Sequence, residues 1–379
     1  MVDITKTFLV AKSVSFRFRL IDRKDRNMML NVEEKGRQHM RQKSGCRWLP
    51  AIGASALVFL LCAGCFNAPS ASPALGQSSN SVSAEVSSSS VRLAVSRNFE
   101  VQRFAIQLTN TNFAGIARSD TDFVIIDPTG LDRSQVTELK SRVDGSRRVV
   151  VAYINIAEAE TFRNYWQSEW DTQPPSWVGA INPNWENHYY TRYWDQEWQA
   201  ILFGSSNSKL DQILAAGFDG VFMDGVDKYT VWPGRDDRSQ RDMFTLVNRI
   251  ASYARARVPG FLVIPNNAEA LLDNAAYRST IDAVVKESLF FGVSGIGRPN
   301  APRLVDYSLG QLRRATNDGL PVFVIEYVSE PSQIDYAERR LRANGLLGTF
   351  GRRDLARLSR PMSADSGSVN RLRSLPGVE

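Results

Sequence analysis

Cysteine is nearly missing from this chain: of 379 residues only Cys46, Cys62 and Cys65 carry a thiol, all close to the amino terminus. The remainder holds no disulfide framework and no thiolate nucleophile. Histidine is as scarce, with two in the whole chain and only His188 beyond the leader. That excludes an HExxH metal site and leaves no basis for a Ser–His–Asp arrangement. The one glycine-dense stretch, Gly292-Val-Ser-Gly-Ile-Gly297, has neither the GxGxxG order nor a GK[ST] ending, so it is not a phosphate loop. An excess of positive charge is also missing from the body. Residues 1–64 hold 12 Lys and Arg against 5 Asp and Glu, which leaves 34 against 35 for the rest despite a net charge of +6. A near-neutral body gives no support for nucleic-acid binding. Any chemistry falls to carboxylates, Tyr or Lys.

What is present at the amino terminus is targeting sequence. Arg41, Lys43 and Arg47 precede the apolar segment 49–61, which ends at Leu61-Cys62-Ala63-Gly64-Cys65. A positive region, a short apolar region and a small-residue cleavage site make a signal peptide over residues 40–64. The apolar run is shorter than the roughly 18 residues that a membrane span needs. Ala63-Gly64-Cys65 resembles a bacterial lipobox, which makes Cys65 the expected lipidation site, although Cys62 departs from the usual Leu. Residues 1–39 have no place ahead of a signal peptide; Met40 is the better start, and 1–39 reads as a mis-assigned extension. Residues 65–91 include a Ser/Ala/Pro-rich tract too poor in large apolar residues to fold, a disordered linker from anchor to domain. The expected setting is an exported bacterial lipoprotein at the cell envelope or surface, a monomer touching the membrane only through its lipid. The chain from 358 to 379, rich in Ser, Arg and Gly, is expected to be a disordered tail.

Between 92 and 357 the composition is globular, close to the ~250 residues of a (β/α)8 barrel. Eight apolar runs alternate with helical patterns: Phe104–Leu108, Phe123–Ile126, Val149–Ile154, Val221–Met223, Phe261–Ile264, Ile281–Val285, Val322–Ile325 and Leu346–Phe350. Helices are expected over Ser134–Val143, from Lys209 to a cap at Gly217, and over Gln240–Val258, Ser308–Asn317 and Gln333–Asn344. Short runs apolar on both faces belong to buried parallel strands, and eight of them fit a closed (β/α)8 TIM barrel better than an open sheet.

Side chains just past the strands of a barrel converge on one rim. Here that rim carries Gln107 and Asn110, then Asp127, then Tyr153, Asn155, Glu158 and Glu160. It continues with Asp224, Asp227, Asn266, Asn267, Glu287 and Glu326. A single Asp after a strand is equally well a helix N-cap; a full ring of acids and amides is harder to explain without a ligand. The connection from Ala157 to Lys209 is long and holds Trp166, Trp170, Trp177, Trp185, Tyr189, Tyr190, Tyr193, Trp194 and Trp198. About half of these serve packing, and the others offer flat faces to sugar rings. Rim carboxylates with aromatic walls point to a glycoside hydrolase, in which one carboxyl gives a proton and another attacks or activates water. No cofactor and no metal are expected.

Several motifs, in order, carry a resemblance to a known family: Tyr153-Ile-Asn-Ile-Ala-Glu-Ala-Glu160, Asn182-Pro-Asn-Trp185 with Tyr189-Tyr190, Tyr193-Trp194-Asp195, and Ala216-Gly-Phe-Asp-Gly-Val-Phe-Met-Asp224. Over about residues 98 to 355 the chain resembles the endo-α-1,4-polygalactosaminidases of glycoside hydrolase family 114. The resemblance implies hydrolysis of an α-1,4-linked galactosamine-containing polysaccharide without a cofactor, by an Asp after the fourth strand and a Glu after the sixth. Those positions are Asp224, expected as nucleophile or base, and Glu287, expected as acid. Lys286 is expected on the opposite face of the strand. Substrate contacts are expected from Gln107, Asp127, Tyr153, Asn155, Glu158, Trp185, Tyr190, Asp227, Asn267 and Glu326. A free-amine polymer is cationic, and Glu158, Asp227 and Glu326 would attract it. Retention is the expected outcome, decided by a carboxyl separation of ~5–5.5 Å rather than ~6.5–9.5 Å. A surface lipoprotein that binds amino-sugar polymer without cutting it, or a hydrolase of another envelope glycan, are the competing readings.

Overall fold

Eight apolar runs become eight parallel staves in the computed structural model, which describes residues 99–232, 236–363 and 370–372. They are β1 Phe104–Gln107, β2 Phe123–Ile126, β3 Val149–Asn155, β4 Gly220–Asp224, β5 Leu262–Pro265, β6 Val284–Glu287, β7 Val322–Glu326 and β8 Leu347–Phe350. All but β6 are wholly or almost wholly buried, as expected when helices cover one face and the barrel interior the other, and β6 is buried over Val284 and Val285. Strands β1 to β5 form one continuous parallel ladder, and β6 to β8 another. The signal peptide, Cys65 and the linker lie outside the described residues.

The two ladders meet at two seams. Between β5 and β6 the joint is one parallel bridge, Asn266 with Val285, reinforced by the Asn267 N–H donating to the Val285 carbonyl at 2.8 Å. Between β8 and β1 the joint is made by the chain after β8. Ser359 N–H donates to the Ile106 carbonyl (3.0 Å), and the Ile106 N–H donates to the Ser359 hydroxyl (2.9 Å). Arg360–Pro361 pairs antiparallel with β8, and Ser359 and Met362 are buried. This corrects the expectation of a disordered tail from residue 358: residues 358–363 finish the barrel, because otherwise the edges of β1 and β8 would keep unpaired backbone groups. Residues 370–372 pair antiparallel with Phe99–Val101.

Inside the barrel Phe104, Phe123 and Phe323 pack ring on ring, with centroids 4.9 to 5.7 Å apart. Among the helices outside are Arg133–Lys140, Lys209–Ala216, Asp236–Arg257, Pro302–Asn317 and Pro331–Ala343. The Lys209–Ala216 helix stops at Gly217, whose φ of 82° is the left-handed cap that glycine adopts at least cost. Among the described residues no helix is long and apolar enough to cross a membrane.

The long connection after β3 folds as a three-stranded antiparallel sheet of Glu158–Glu160, His188–Thr191 and Val178–Ile181. Trp177, Tyr193 and Trp198 are buried beneath it, and the Trp198 ring N–H donates to the Ile156 carbonyl at 2.8 Å. These rings fasten the insert to the barrel. A second insert follows β6, a hairpin of Phe291–Gly292 with Gly295–Pro299 that contains the glycine-dense stretch.

At the amino-terminal end of β4, fully buried Asp219 ties three elements. It pairs with Lys140 (2.7 Å) and Arg147 (2.8 Å) and accepts the Val150 N–H (2.9 Å). Removing it strands two cations and one N–H. The Asp219→Ala protein is expected to lose about 3–5 kcal/mol of stability, read as a lower midpoint in urea unfolding, while Asp219→Asn keeps the N–H partner and loses less.

Candidate active site

Strands β4 and β6 end in Asp224 and Glu287, and the residues just past β5 lie between them. The Asn266 Nδ2 donates one hydrogen to Oδ1 of Asp224 (3.2 Å) and the other to Oε2 of Glu287 (2.9 Å). Asn267, at a positive φ of 55°, donates to Glu287 Oε2 at 3.2 Å and accepts the Glu287 N–H at 3.1 Å. Tyr327, following β7, donates a short hydrogen bond to Glu287 Oε1. On the other side, Tyr153 of β3 donates to Oδ2 of Asp224 at 3.2 Å, and Gly225 N–H donates to its Oδ1 at 2.8 Å. Gly225 has a φ of 78° and lies so close to Asn155 that an added Cβ would meet Oδ1 at 2.6 Å. Glycine is therefore required at that turn. The 3₁₀ turn after β4 has Gly225, not Asp224, at its cap, so helix capping does not account for Asp224.

The two carboxyls repel each other and are partly removed from water. Burial first, and then the Glu287 charge, push Asp224 up to about 7, although Lys228 works to lower it. Asp224 therefore keeps a proton close to neutral pH beside the Glu287 charge.

An open cleft of about 780 Å³ leads to Glu287, lined among others by Trp185, Tyr190, Asp227, Lys228, Asn267, Lys286, Tyr327 and Arg353. The hairpin after β6 contributes Val293 and Ile296 to one wall. Several of the expected residues meet here: Tyr153 and Asn267 on the pair, and Trp185, Tyr190 and Asp227 on the cleft walls. Asn155 and Glu158 are buried behind them. Asn155 accepts the N–H groups of Ala157 (3.2 Å) and Glu158 (2.9 Å), and Glu158 accepts from Asn182 at 2.6 Å. They shape the turn after β3 rather than line the cleft.

Three expected contacts sit elsewhere, which corrects the reading of the rim as one ring. Gln107 is buried and its amide donates to the Asn110 and Ala356 carbonyls (2.9 and 3.2 Å), closing the chain after β1. Asp127 pairs with Arg163 at 2.7 Å and caps Thr129 N–H at 2.8 Å. Glu326 is fully buried and accepts the N–H groups of Phe290 (2.7 Å) and Phe291 (3.3 Å), holding the base of the hairpin. A strand-end position alone does not tell a solvent-facing acid from one satisfied by a neighbouring loop. Lys286 also differs from expectation. Its stem brings the ammonium to the cleft, 3.0 Å from Glu269 and 3.3 Å from Asn267 Oδ1. Asn266, Tyr327 and Arg353 complete the site without having been singled out as contacts; the Asn266-Asn267 pair past β5 was the legible signal. Among the described residues no group of three or more His, Cys, Asp and Glu is placed to hold a metal ion.

A (β/α)8 barrel that brings an Asp and a Glu from β4 and β6 onto one bridging amide, beneath an aromatic cleft, has the build of a glycoside hydrolase. Residues 83–366 match the model of glycoside-hydrolase family GH114, and the chain belongs to that family. An uncharacterized protein of Deinococcus radiodurans is 33% identical over 261 residues, covering 68% of this chain and 82% of that protein. An uncharacterized protein of Thermotoga maritima is 32% identical over 267 residues, covering 66% and 80%. The glycoside hydrolase domain of PelA from Pseudomonas aeruginosa shares the fold, with a TM-score of 0.55 at 18% identity over 68% of this chain and 98% of that one.

Burial raises Glu326 from 4.5 to about 7 against the pull of the Phe290 and Phe291 N–H groups. A folded-state value above the unfolded one contributes stability that is complete below about 4.5 and is lost as pH climbs to about 7. Glu326→Gln keeps an acceptor and removes the buried charge. Its melting midpoint, compared with wild type, is expected to gain between pH 5 and pH 8.

Proposed function

We propose that this protein is an endo-acting glycoside hydrolase that cleaves α-1,4-linked galactosamine-containing polysaccharide with Asp224 and Glu287 as its two catalytic carboxyls. One observation carries the reading: a single amide, Asn266 Nδ2, bonds both. The bonded oxygens can be no farther apart than the 3.2 and 2.9 Å bonds laid end to end, about 6.1 Å. That falls short of the ~6.5–9.5 Å that leaves room for an intervening water and fits attack by a carboxylate on the anomeric carbon. That close approach favours retention of anomeric configuration, through a covalent glycosyl-enzyme that water then releases.

The pair brings the proton such a cycle needs. One carboxyl protonates the leaving oxygen while the other attacks, and afterwards the first takes a proton from the incoming water. The division expected from the sequence has Asp224 as nucleophile or base and Glu287 as the acid. The resting electrostatics give Asp224 the proton and surround Glu287 with three donors, which favours the opposite division. Azide separates the two. It restores activity with inverted product only when the attacking carboxylate has been cut back to Gly, so rescue of Asp224→Gly or of Glu287→Gly names the nucleophile. Setting in the envelope and anchoring through Cys65 complete the proposal, with the acetal polymer as partner and no cofactor.

Asp224→Asn and Glu287→Gln are each expected to lower the release of reducing ends from galactosamine oligomers by ~10³-fold or more while leaving oligomer binding in place. Equal turnover by either variant defeats the assignment. Wild-type kcat/KM is expected to fall as pH rises past about 7, where Asp224 loses its proton. NMR of the first product is expected to show the α-anomer.

A further inference from the structure

The chain between β3 and β4 carries a second depression, of about 750 Å³, that shares no lining residue with the cleft at Glu287. Its apolar lining includes Tyr165, Trp170, Trp177 and Ile201. Trp177 is buried and serves packing. Trp170 stands edge-on to Trp166 and Trp177, with centroids 5.4 and 5.3 Å away, and keeps part of its ring in the open. The polar lining is neutral apart from Glu197, with the amides of Asn164, Gln167, Asn207 and Gln212 around it. Gln167, Glu197 and Asn207 are exposed, and their side chains hold no hydrogen bond or ion pair among the described residues. Neither the fold nor the reacting pair uses them.

A run of rings links this depression to the cleft. A smaller groove shares Asn164 and Gln212 with it and is lined by exposed Phe162. Phe162 packs on His188 with centroids 5.7 Å apart, and His188 lies 6.2 Å from Trp185, which lines the cleft.

We propose that the depression at Trp170 is a second, non-catalytic sugar-binding site, which holds uncharged pyranose residues of a polysaccharide while another stretch of the same chain occupies the cleft. The inference rests on the hydrolase reading and deepens it by adding a holding site apart from the point of cleavage. A pyranose ring presents apolar C–H groups on its faces and hydroxyls around its edge. A partly open indole suits the faces. A primary amide both donates and accepts, as a hydroxyl does, so Gln167 and Asn207 suit the edge. A cationic ligand would find one opposite charge in the lining, whereas a neutral sugar gives up little hydration and needs none. A chain held here is presented to the cleft at raised effective concentration, a gain open only to substrates long enough to reach both sites.

The test uses a half-N-acetylated α-1,4-galactosamine tetrasaccharide and the long polymer of the same composition. Titration calorimetry of the tetrasaccharide on Asp224→Asn is expected to find two sites per chain. One is expected to remain once Trp170→Ala, or Gln167→Ala together with Asn207→Ala, is added. The amide pair keeps the test decisive if Trp170→Ala fails to fold, because neither amide is engaged in the fold. With Asp224 intact, the same substitutions are expected to raise the KM for the polymer about tenfold relative to that for the tetrasaccharide. A single site on Asp224→Asn, or two sites that survive the substitutions, overturns the proposal, as does a depression that takes a proline-rich decapeptide and not the sugar. Single-site binding with normal cleavage refutes the holding site alone. Two sites, one removed by these substitutions, with no cleavage by wild type support the holding site and refute the hydrolase reading.

Discussion

Two carboxyl groups held within reach of one amide repel each other, and the rest of the site exists to sustain that contact. Asn266 supplies the clasp because it follows β5, where the regular ladder stops and a single bridge to Val285 carries the sheet across to β6. Its Nδ2 has two hydrogens and two acids to receive them. Its Oδ1 is buried without a protein partner, a sacrifice of about 1–3 kcal/mol. Asn267 and Ala268, at φ of 55° and 57°, are further backbone concessions in the same turn. Such concessions gather where geometry matters more than stability.

Behind Asp224 the support is ionic. Tyr153 reaches both Asp224 and Glu160, the latter at 3.4 Å, and burial alone would raise Glu160. His188 and Arg163 overcome that and hold it low, with Arg163 also gripping Asp127. His188 and Glu160 both belong to the antiparallel insert. The aromatic insert therefore has two faces of work: Trp177 and Trp198 seat it on the barrel, while Trp185 and Tyr190 shape the cleft. Placement of Tyr153 depends on that seating as well as on β3.

The barrel was legible because its staves are apolar on both faces and short, a pattern few other arrangements produce. Each expected strand overlaps an observed one, and Gly217 ends its helix where glycine should. Asp224 and Glu287 were legible as acids immediately past β4 and β6. Less could be seen of the inserts. Residues 158–160, 178–181 and 188–191 mix acids, amides and rings with no clean alternation, and their pairing is set by contacts distant in sequence. The fates of Gln107 and Glu326 were hidden for the same reason. Whether an amide or acid at a strand end faces a cleft depends on which loop N–H or carbonyl passes beneath it, and that is decided by packing. Ser359 has no local signature at all; its partners are Ile106 and Thr349.

Ser359 also sets the order in which the domain can be finished. The first strand waits, from the moment it is made, for a hydroxyl some 250 positions downstream. Without that serine in place, β1 and β8 keep open edges that could recruit a foreign strand. The short segment after β8 is therefore the lock that turns a curled sheet into a closed vessel.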